Sequence, residues 1–130
     1  MKLRDINGLI GGKISPASFR ATNAENFTER RSLLGANRQG GVVSVWVDED
    51  EEIELTGQDL AALCSFLIKG AVDAVELAYI ADALQFADRV TYQDDWVRDY
   101  LDELTDPEVN GPFTVARAEA IVREIFRPLA

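Results

Sequence analysis

The 130-residue chain contains no histidine. That removes the commonest general base, the commonest nitrogen ligand for metals and the activating partner of most serine and cysteine nucleophiles. Cysteine is nearly as scarce: Cys64 stands alone, which excludes an internal disulfide and the usual structural zinc sites, and gives no sign of an oxidising compartment. Long apolar runs are missing too. The longest, residues 60–68, is about half a membrane span and is broken by Ser65. Behind Met1-Lys2-Leu3-Arg4-Asp5 there is no apolar stretch of signal-peptide length, since Asp5 and Asn7 interrupt it. These absences lead to the expectation of a soluble, cytoplasmic protein that spans no membrane, uses no metal or cofactor and is not an enzyme.

Positive charge is the next shortage. There are 13 Lys and Arg against 23 Asp and Glu, a formal net charge of −10, and the split along the chain is uneven. Residues 1–41 carry seven basic side chains against three acids, a net of +4; residues 42–130 carry six against twenty, a net of −14. An acidic surface of this kind repels nucleic acid and anionic lipid and attracts basic partners over about a Debye length, roughly 8–10 Å. The apolar fraction of 47% is that of a globular chain. At this length one core suffices, so residues 1–130 are expected to form a single domain: a basic, loosely patterned segment at 1–41 and an acidic, strongly patterned remainder at 42–130.

The composition changes at Gly40-Gly41. Before it, Ser15-Pro16 reads as a helix start, with a capping hydroxyl and proline at the first helical position. A second start is expected at Asn23, with a stop at Gly35. After it, Val42-Val43-Ser44-Val45-Trp46-Val47 is rich in β-branched residues and predicts a strand. Ile53 and Leu55 would return as its hairpin partner, with Asp48-Glu49-Asp50-Glu51-Glu52 as a solvated tip. The rest reads as four helices. Thr56 with Asp59 forms a capping box ahead of Leu60, Leu63, Cys64 and Leu67, and Gly70 supplies the stop. Asp73 with Glu76 forms a second box, flanked by the hydrophobic staple Val72 and Leu77, ahead of Ile80, Ala81 and Leu84. Val97, Tyr100, Leu101 and Leu104 line one face of a third helix. Beyond the turn Asn110-Gly111-Pro112, Thr114 caps a fourth that buries Val115, Ala118, Ile121, Val122 and Ile125. The expected fold class is therefore α+β, mostly α: a small array of four to six helices with one β-hairpin.

Few residues are arranged for chemistry. Cys64 sits on an apolar stripe and reads as an inert core residue. The acidic run at 48–52 resembles a calcium loop only superficially, because Ile53 stands where such a loop needs glycine and Asp59 where it needs bidentate glutamate. Gly11-Gly12-Lys13 lacks the remaining spacing of a phosphate-binding loop. The third helix is more informative. Asp95, Asp99, Asp102 and Asp106 fall within about 60° of one another on a helical wheel, opposite the apolar face, with Trp96 and Tyr92 at the stripe's edge. Like charges at this spacing repel by a few tenths of a kcal/mol per pair, so helix stability alone does not ask for them. An ordinary solvated face would look similar, and Trp96 could cover the core's margin. These six residues are nevertheless the expected partner-binding surface. Arg30, Arg31 and Arg38, with Arg20 nearby, form the basic counterpart and are expected to dock onto the chain's own acidic helices rather than onto nucleic acid.

Two phrases, Leu77-Ala78-Tyr79-Ile80-Ala81-Asp82-Ala83-Leu84 and Thr105-Asp106-Pro107-Glu108-Val109-Asn110-Gly111-Pro112, resemble small acidic bacterial immunity proteins that neutralise a cognate toxin. The resemblance covers about residues 53–127. It implies a cytoplasmic, non-enzymatic protein that blocks a basic toxin, often a nuclease, by charge complementarity; it assigns no binding residue. Two other classes compete with it: a structural or oligomeric subunit that self-associates through an apolar patch such as Trp46, and an enzyme built on paired carboxylates with raised pKa values.

Overall fold

A computed structural model describes residues 1–36, 47–105 and 113–126. In chain order its elements are α1 (Leu3–Ile10), α2 (Pro16–Thr22), α3 (Ala24–Ala36), β1 (Ile53–Leu55), α4 (Gly57–Ile68), α5 (Ala74–Phe86), β2 (Val90–Tyr92), α6 (Asp95–Thr105) and α7 (Val115–Ile125). Seven helices and two three-residue strands among the described residues make an α+β fold that is mostly α.

The helix starts follow the capping chemistry. The Thr56 side chain accepts from the Asp59 N–H while the Asp59 carboxylate accepts from the Thr56 N–H, and Asp73 and Glu76 exchange the same pair of bonds at α5. Ser15 caps α2 and Thr114 caps α7. Each such cap is worth about 1 kcal/mol. Val72 and Leu77 are both buried, as a staple across the start of α5 requires. Gly70, with φ +73°, takes the left-handed position that ends α4.

The apolar faces then select the packing. α4 lies against α7, α5 against α6, and α3 covers α5. Leu60, Leu63 and Cys64 of α4, Leu77, Ile80 and Leu84 of α5, Val97 and Leu101 of α6, and Ala118 and Ile121 of α7 all meet in one core. Val115 departs from the expected stripe and is exposed; Val122 and Ile125 are half-buried. Phe19 of α2 and Phe27 of α3 are fully buried, and Phe27 meets Tyr79 edge-on with ring centroids 5.7 Å apart.

The hairpin is corrected. Among the described residues β1 pairs in parallel with β2, Ile53 beside Val90 and Leu55 beside Tyr92, which is not a hairpin pairing. Parallel strands need a long crossover, which α4 and α5 provide. Val90-Thr91-Tyr92 is too short for period-two alternation to stand out in the sequence. The expected strand at 42–47 lies, apart from Val47, outside the described residues, as do Trp46, Arg38, Asp106 and the turn Asn110-Gly111-Pro112.

Two further departures are linked. Helix α1 was not expected. It buries Leu3, Ile6 and Leu9 at three-residue spacing, yet its N-cap residue, Lys2, supplies no side-chain cap. The missing acceptor comes from 46 residues away, where Asp50 Oδ1 accepts from the Arg4 N–H at 3.0 Å. The acidic run at 48–52 is therefore not a solvated tip. The Asp48 backbone brackets Met1 and Leu3, and Glu51 accepts from the Asn7 side-chain amide at 2.9 Å. Glu49 accepts from the Arg89 N–H at 2.9 Å and also takes the Arg89 guanidinium on its backbone carbonyl. The run straps the first helix to the start of β2.

Candidate functional site

α6 presents its acids as the wheel predicts. Val97, Leu101 and Leu104 are buried, while Asp95, Asp99 and Asp102 are exposed on the opposite side. Asp94 is exposed just ahead of the helix. Asp95, in the first turn, is favoured by the positive end of the helix dipole, so its placement alone says little about function. Asp99 has no such reason to be there. Among the described residues no Lys or Arg comes within 4.0 Å of the carboxylates of Asp94, Asp95 or Asp99. Asp102 differs from them, because it accepts a hydrogen bond from the Gln85 side-chain amide at the end of α5. Asp106 lies outside the described residues.

The two aromatic residues occupy different positions. Trp96 is 41% exposed, so its indole covers the margin of the core with one side and leaves the other in water. Its ring stands edge-on to Tyr100 at 6.1 Å and lies so close over Gly57 that a Cβ there would fall 2.5 Å from the ring. Gly57 is thus the one residue type that lets the indole settle on the start of α4. Gln93 reinforces this joint by accepting, at 3.4 Å, from the Gly57 N–H. Tyr92 is not on α6 at all; it ends β2, so the helical wheel does not apply to it. It still adjoins the helix, since the Arg98 guanidinium sits over its ring at 5.8 Å. Burial raises the Tyr92 phenol above its ordinary pKa, with Arg98 opposing.

Two further acids lie on the elements next to the joint between Trp96 and Gly57. Asp59 stands in the first turn of α4, two residues beyond Gly57, with its carboxylate engaged in the Thr56 cap. Glu54 is exposed on β1 beside Thr91 of β2. The sequence signal was present in the i+2 alternation Glu52, Glu54 around buried Ile53, but only the parallel pairing shows that this strand runs beside the one leading into α6.

On the other flank of α6 the acids are internal ties. Arg117 of α7 forks onto Glu103 with bonds of 2.8 and 2.9 Å and reaches Glu124 at 3.6 Å, while the Tyr100 hydroxyl donates to Glu124 at 2.6 Å. The Arg117 hydrogen bonds hold the Glu103 carboxyl below its usual value, and the bond to Glu124 raises the Tyr100 phenol. The arginines of the basic segment are used in the same way, as expected from sequence. Arg20 bonds Glu76 at 2.8 Å, Arg31 lies 2.6 Å from Asp73, and Arg30 lies 2.6 Å from Asp82. Burial works to raise the Asp73 carboxyl, but the Glu76 N–H and the Arg31 guanidinium outweigh it and leave it below the usual value. Arg30 is 5% exposed and also lies over the Tyr79 ring. Its Nη1 is within ion-pair distance of Asp82 but off the hydrogen-bond direction, and among the described residues its Nε has no hydrogen-bond partner.

Cys64 is fully buried, and burial pushes its thiol up to about 12, so thiolate chemistry at neutral pH is not supported. Among the described residues no three or more Cys, Asp or Glu side chains are grouped to hold a metal ion, and no helix is long and apolar enough to cross a membrane. Clefts among the described residues stand apart from α6. One runs along Ala24, Glu25, Thr28, Glu29 and Ser32 of α3; another lies between Arg4, Asn7, Lys13, Ile14 and Glu51. Comparison of the chain with protein-family models, curated proteins and solved structures finds no match.

Proposed function

We propose that this chain is a non-enzymatic protein-binding module, of the immunity type that neutralises a basic toxin, and that it meets its partner with the outward side of α6. One observation carries the reading. Asp94, Asp95 and Asp99 stand exposed around the half-exposed Trp96 with no cation in ion-pair reach among the described residues, whereas Asp73, Glu76, Asp82 and Glu103 are all matched by the chain's own arginines. An acidic surface beside an aromatic anchor supplies both terms of a protein interface: long-range attraction that sets the association rate, and a desolvated contact that sets the dissociation rate. The test is co-expression with the product of the gene adjacent to this chain's own. The wild-type chain is expected to restore growth and to co-purify with that product, and Asp95→Lys/Asp99→Lys to do neither while remaining folded. Equal rescue by the variant would remove α6 from the interface; no toxicity and no co-purification would remove the immunity reading.

A second reading rests on Phe86 and Phe126, which are 70% and 56% exposed. Large apolar side chains left in water favour a subunit that associates with itself or with other chains. Sedimentation separates the two, since the module is expected to be a monomer without its partner and the subunit an oligomer that Phe86→Ser/Phe126→Ser dissociates.

A further inference from the structure

We draw no further inference here: the strongest candidate, the Arg30 guanidinium buried between α3 and α5 with its Nε unbonded among the described residues, carries nothing, because Asp82 and the Tyr79 ring already meet its charge and neither cleft described above includes it.

Discussion

Residues 48–52 and the first half of helix α6, with Asp94 just ahead of it, are both rich in carboxylates, and they use them in opposite ways. In the first stretch Glu49, Asp50 and Glu51 accept hydrogen bonds from Arg89, Arg4 and Asn7, so the acids cap one helix and tie another segment to it. In the second, Asp95 and Asp99 face water with no basic residue in ion-pair reach among the described residues. Acidic composition is thus a poor guide to a binding surface. The more informative quantity is whether the chain itself supplies the matching donors, because an acid already bonded to its own backbone gives a partner little to gain.

Substitutions that separate internal from outward charge sharpen this contrast. The largest effect is expected where charge is most deeply internal. Arg30→Ala leaves Asp82 without its buried cation and should destabilise the fold by about 3–5 kcal/mol in urea unfolding, whereas Arg30→Met with Asp82→Leu should recover most of that loss. Next comes the strap. Glu49→Ala with Asp50→Ala removes two charge-assisted acceptors, and because both bonds are partly solvated the cost should be about 1–2 kcal/mol, with faster hydrogen exchange at Arg4 and Arg89. Trp96→Ala should cost about 1 kcal/mol, since nearly half the indole is already in water and only its packing on Gly57 and Tyr100 is lost. Smallest is the α6 surface: Asp99→Lys, clear of the helix's first turn, should change stability by no more than about 0.5 kcal/mol. A strap variant as neutral as the α6 variant would erase the distinction between the two acidic stretches.

Local signals were legible in the sequence and distant ones were not. The caps at Ser15, Thr56, Asp73 and Thr114 need only their own next three residues, so Ser/Thr/Asp followed by its partner is enough to place them. The buried faces of α4, α5 and α6 follow from 3.6-residue spacing in the same way, and so does the outward placement of Asp95 and Asp99. Helix α1 escaped because its capping carboxylate is contributed by Asp50, far along the chain, and without a local cap Leu3, Ile6 and Leu9 read as scattered apolar residues. The parallel pairing of β1 with β2 escaped for a related reason: two three-residue strands joined through two helices leave no turn signature, whereas a neighbouring β-branched run suggests a hairpin. At the candidate site, Trp96 could be placed at the edge of the stripe but not over Gly57, and Tyr92, which the wheel also puts at that edge, ends the strand ahead of the helix.

The most direct test of the α6 assignment is the association rate constant of the co-purified basic partner, measured at low and high salt. Wild type would be compared with Asp95→Lys/Asp99→Lys and with Glu25→Lys/Glu29→Lys, an equal change of net charge on the exposed side of α3. Charge that steers a partner acts where the partner docks, so the α6 variant should associate at least about tenfold more slowly at low salt, with the difference shrinking as salt rises, while the α3 variant stays close to wild type. Equal slowing by both variants would mean that only total charge matters, and no slowing by either would mean that the outward acids of α6 are an ordinary solvated face.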